Sequence, residues 1–63
     1  MKNNNEAVET YFRKMSAFDR LKWKSLYEVL INEIENEKKG AAPAHMLPHY
    51  KLGLQTIEKI IAE

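Results

Sequence analysis

The stretch Ala17-Phe-Asp-Arg-Leu-Lys-Trp-Lys-Ser-Leu-Tyr-Glu-Val-Leu-Ile-Asn-Glu-Ile-Glu-Asn-Glu-Lys-Lys39 decides the fold. It contains no Gly, no Pro and few β-branched residues, so its preference is helical throughout. Its apolar residues fall into two stripes. Phe18, Leu21, Leu26 and Val29 form one. Trp23, Tyr27, Leu30 and Ile34 form the other at seam spacing, and Ile31 widens it. An ordinary surface helix buries one stripe, so this one needs two partners. Lys38 and Lys39 suit the negative end of the helix dipole, and Gly40 offers a left-handed stop. The reading is a helix over about 17–39, roughly 33 Å long.

Upstream, Val8, Tyr11, Phe12 and Met15 share one face of a helix over about 5–15. Asn4 or Asn5 is placed to cap it, and Glu6 and Glu9 suit its first turn. Ser16-Ala17-Phe18-Asp19 resembles a capping box and predicts a corner; the rival is one continuous helix over 5–39. Downstream, Gly40 to Leu47 reads as a connector, with a helical turn at Ala44–Leu47. Pro48 fits the first position of a third helix over about 48–62. Tyr50, Leu54, Ile57 and Ile61 supply its apolar row, extended by Leu47 and flanked by Ile60, and Gly53 beside the row lets another backbone come close.

The expected fold is therefore all-α: a single domain over 1–63, three helices in an antiparallel arrangement, the long central one serving as spine. Short connections make consecutive helices antiparallel. Sixty-three residues bury a limited share of their surface, and with no cysteine there is no disulfide to help. Two short flanking helices leave part of the Trp23–Ile34 seam open. A homodimer meeting along Trp23, Tyr27, Leu30, Ile31 and Ile34 is the expected completion; Trp23 either anchors it or covers helix one within the monomer.

Ten Lys and Arg against nine Asp and Glu argue against a general polyanion binder. Even so, Arg13, Lys14, Arg20, Lys22 and Lys24 gather around the predicted corner, interleaved with aromatic rings. Such mixing can stack and neutralise nucleic acid, which makes a nucleic-acid-binding accessory factor the alternative reading. The same rings also lie on the apolar stripes, which favours a core role.

His45 and His49 stand four apart, but Pro48 interrupts the face and no acidic neighbour completes a metal set, so no metal or other cofactor is expected. Thr10, Ser16, Ser25 and Thr56 have no His at an activating spacing, and three short helices rarely enclose a substrate, so no catalysis is expected. No apolar run reaches the roughly 20 residues of a membrane span, and Met1–Glu6 lacks the apolar core of a signal peptide; the expected location is the cytoplasm.

Glu9-Thr10-Tyr11-Phe12-Arg13 together with Asn32-Glu33-Ile34 is faintly similar to the small helical-hairpin kinase inhibitors of the sporulation checkpoint. The likeness covers about half of the chain, with a longer spacing and no counterpart of the third helix, too little to assign the chain to that family. It implies only that such a chain can act by docking on a larger regulatory protein. The functional expectation is a small interaction protein that self-associates and binds or inhibits a larger protein.

Overall fold

The computed structural model describes residues 4–63, with side chains from Glu6 onward. The elements are α1 (Asn4–Arg13), α2 (Ala17–Glu35), a 3-10 turn (Ala44–Met46) and α3 (Leu47–Ala62). The described residues are helical with no strands, as the sequence predicts. None of these helices is long and apolar enough to cross a membrane.

The corner between α1 and α2 is present, and the continuous helix is excluded. Ser16 is extended (φ −67°, ψ 160°), and its hydroxyl accepts from the Asp19 amide at 3.1 Å. Arg20 reinforces the break from below. Its Nη1 donates to the Met15 carbonyl (2.6 Å) and to that of Phe12 (3.1 Å), which also accepts from the Met15 amide (3.2 Å). Asn4 and Asn5 lie inside α1, and the position before it falls outside the described residues.

Helix α2 stops at Glu35, four residues before the expected end. The Lys38 amide donates to Glu33 O (3.0 Å) and the Glu37 amide to Ile34 O (3.1 Å), with Glu37 at φ 51°. This is a Schellman stop with glutamate where glycine is usual. Asn36 strengthens it, donating from its side chain to Asn32 O at 2.8 Å. Gly40 (φ 85°) instead shapes the next turn, closed by Ala41 N to Lys38 O at 3.1 Å. The helical turn at Ala44 is present and leads directly into α3, which begins at Leu47 rather than Pro48.

The central helix is α3, not α2. It packs against both of the others, while α1 and α2 meet through the rings of Phe12, Trp23 and Tyr27. Sandwiched in this way, α3 buries Gly53, Thr56, Ile57 and Ile60, and the expected row is displaced: Tyr50 and Leu54 are half-buried and Ile61 is exposed. Thr56 enters the core because its hydroxyl donates to Leu52 O at 2.8 Å. Among the described residues, Phe12 (1% exposed) and Ile57 (0%) are the fully sealed large side chains.

Gly53 admits a ring instead of a backbone. A methyl added there would lie 2.7–2.9 Å from Cζ, Cε2 and Oη of Tyr27. That ring is held in turn by Phe12, Trp23 and Tyr50, with centroids 5.6–6.1 Å away. Gly53→Ala gains about 1 kcal/mol of helix propensity but meets an overpacking cost of about 1–3 kcal/mol. The expected net effect is a loss of about 1 kcal/mol in chemical denaturation, reversing to neutral or favourable in a Tyr27→Leu background. A gain in the unaltered background would show that the ring is not pinned.

Candidate protein-interaction face

The two stripes of α2 have opposite fates. Ile31 and Ile34 are buried, and Trp23, Tyr27 and Leu30 are half-buried within the same chain. The seam expected to stay open is therefore largely consumed inside the molecule, and its two isoleucines are out of reach of a partner. The other stripe is exposed. Phe18 is 69% exposed, Val29 53%, Leu21 52% and Leu26 45%. Single exposed apolar residues are ordinary, but four on one helix face form a patch that marks an interaction surface.

The patch has a polar centre and a soft edge. The Lys22 ammonium lies 5.4 Å from the centroid of the Phe18 ring, a cation–π contact. Ser25, small and exposed, falls in the middle of the stripe. A shallow, mostly apolar depression opens beside it, lined by Lys22, Trp23 and Leu26, so Trp23 keeps an accessible margin. The difference between the stripes is visible in the letters. The Trp23-Tyr27-Leu30-Ile34 row is large and apolar at every step, whereas the Phe18–Val29 face is interrupted by Lys22 and Ser25. Uninterrupted apolar character marks the inner face.

The basic corner is mostly spent on the chain itself. Arg13 makes a forked contact to Glu63 (2.7 and 2.6 Å) and also reaches Glu9 at 2.8 Å. Arg20 is part-buried, holding the α1 carbonyls, and its Nε is buried without an acceptor among the described residues. Lys24 pairs with Glu28 at 2.9 Å, and Lys22 covers Phe18. Lys14 is exposed. Trp23 and Tyr27, which would have to stack on bases, are engaged with each other and with Phe12.

The hydroxyls are committed in the same way: Thr10 donates to Glu6 O, Thr56 to Leu52 O, and Ser16 caps α2. His45 and His49 are exposed, and among the described residues no group of three or more His, Asp or Glu could hold a metal ion.

A four-membered ionic clip joins α1 to the end of α3. Lys59 Nζ reaches Glu9 at 2.9 Å, and Arg13 joins Glu9 to Glu63. Lys59 first and then Arg13 hold the Glu9 carboxyl below its usual 4.5, and Arg13 does the same for Glu63. A lowered folded-state value contributes stability that is complete above the unfolded value and lost as pH falls through the folded one. Thermal melts should therefore show a decline beneath about pH 4.5 that is shallower in Glu9→Gln. The effect is modest, because these groups face water. Equal slopes for the two proteins would remove the clip from the stability account.

No protein-family model, curated protein or solved structure matches this chain.

Proposed function

We propose that this chain is a small, non-enzymatic protein-binding module that docks through the outer face of α2 and acts by binding or inhibiting another protein. The observation carrying this reading is the exposure of Phe18, Leu21, Leu26 and Val29 on a helix whose opposite face is already packed. Apolar side chains held on a rigid helix lose little further freedom when a partner covers them, so most of their burial energy goes into binding. Lys22 and Ser25 within the patch keep the free protein soluble and give a partner polar points to register against.

The sense of the helices supports an up-down-up bundle as the scaffold. Glu9 pairs with Lys59 and Arg13 with Glu63, rising together along α1 and α3. Glu35 pairs with Lys51 while Tyr27 lies on Gly53, running in opposite senses along α2 and α3. The nucleic-acid alternative draws less support, because Arg13, Arg20 and Lys24 are occupied within the chain.

The test is retention of proteins from an extract of the source cells on the immobilised chain. Leu21→Lys with Leu26→Lys should keep the helix content and melting temperature of the parent, since both positions are exposed. It should lose the retained proteins. Unchanged retention by this variant would overturn the reading. Retention of DNA or RNA that falls steeply with salt would favour the alternative.

A further inference from the structure

Helix α2 ends before its own sequence requires it to. Residues 17–39 contain no Gly or Pro, yet the helix stops at Glu35. The stop needs Glu37 at φ 51°, in the left-handed region that disfavours a residue with a side chain. It leaves Glu33 and Glu35 at the negative end of the helix dipole and no basic residue in the last turn. It also leaves the amides of Lys39 and Gly40 without a backbone acceptor among the described residues.

A stop three residues further on has none of these faults. Gly40 already stands at φ 85°, with nothing within 4 Å of where a Cβ would sit. A helix carried through Lys39 would close there, the Gly40 and Ala41 amides turning back to the Glu37 and Asn36 carbonyls. Lys39 would then donate to the Glu35 carbonyl, Glu37 would become right-handed, and Lys38 and Lys39 would stand where the dipole favours cations. Small, local features hold the earlier stop. Asn36, a residue that favours helix ends over interiors, donates from its side chain to Asn32 O and to Asn32 Oδ1, both at 2.8 Å. Ala41 and Ala42 are half-buried in the connector that follows.

We infer that α2 has two stops, a short form closed at Glu37 and a long form closed at Gly40, and that residues 36–39 pass between them as one helical turn melts and forms. The opposing effects are each the size of one hydrogen bond or one left-handed residue, and effects of that size set populations apart by about tenfold. The long form changes what α2 presents. Five turns of helix bring Asn36 onto the line of Phe18 and Lys39 onto that of Leu21, so the outer face gains a polar, cationic end. The length of face that a partner meets is then set by the stop. That consequence rests on the outer face as a docking surface; the two stops do not.

The experiment is NMR of the full chain, reading the Cα chemical shifts of Lys38 and Lys39, which move to helical values in the long form. In the parent they should lie between coil values and those of the interior of α2. Glu37→Gly relieves the left-handed strain and weakens the longer helix, and should move the equilibrium toward the short form about fivefold. Asn36→Ala and, separately, Glu37→Ala should move it toward the long form, since alanine favours a helix interior. Both positions are exposed, so each alanine variant should keep the parental melting temperature. Coil shifts at Lys38 and Lys39 in the parent and in both alanine variants would overturn the long form. Fully helical shifts in the parent that persist in Glu37→Gly would overturn the short one. Neither result touches the docking surface, which Leu21→Lys with Leu26→Lys tests by retention.

Discussion

The burial of one ring, Phe12, holds this molecule together. It projects from α1, is 1% exposed, and meets Trp23 and Tyr27 from α2 while sharing a core cluster with Ile57 and Ile60 of α3. A chain of this length without disulfides has few large side chains with which to join three helices. Phe12 does so by edge-to-face contact, in which the positive rim of one ring meets the negative face of another. Two adjustments follow. Gly53 must lack a side chain so that Tyr27 can lie close enough to α3 for its ring to meet Phe12. Arg20 must close the end of α1, giving the Met15 carbonyl a donor and the Phe12 carbonyl a second one beside the Met15 amide.

This junction also decides which face of α2 is spare. Once Trp23 and Tyr27 turn inward to meet Phe12, the helix rotation is set, and Phe18, Leu21, Leu26 and Val29 must point away. Five of the six aromatic rings form one run of ring contacts, with Tyr11 at its exposed end, and Phe18 stands outside it with Lys22 over its face. The outer stripe is thus a consequence of how the core is built. Its four large side chains cannot be drawn inside by any small rearrangement, because doing so would expose the ring contacts that define the fold.

Much of this is legible in the sequence because it is local. Helix content, the Ser16 corner, the turn at Ala44 and the two stripes of α2 depend on residues within a few positions of one another. Two features are not legible, for identifiable reasons. Glycine is the usual left-handed residue, so the letters point to Gly40 as the stop of α2. Glu37 takes that conformation instead, because Asn36 and the Glu33 and Ile34 carbonyls complete the stop earlier. Length and two apolar stripes likewise point to α2 as the spine. Which helix sits in the middle depends on which can be approached from two sides, and α3 offers Gly53 toward α2 and Thr56 with its hydroxyl satisfied internally. Neither is a large apolar residue: the sequence marks Gly53 only as a place where a backbone could come close, and a search for apolar rows passes over Thr56. The candidate site is half legible: the pattern shows that α2 carries more apolar surface than its neighbours cover, but seam spacing points to the stripe that the core consumes.

That surplus bears on stability as well as on binding. Among the described residues, the buried apolar side chains beyond Phe12 and Ile57 are Ile31, Ile34 and Ile60. A core of this size leaves the isolated chain near the balance point between burial and chain entropy. Any partner that covers the outer face binds the folded form and not the unfolded one, so it adds to stability in proportion to the logarithm of its concentration. Binding and folding then become one equilibrium. The feature that makes the face useful, four large side chains held in water on a rigid helix, is also what ties the persistence of the fold to the presence of something to bind.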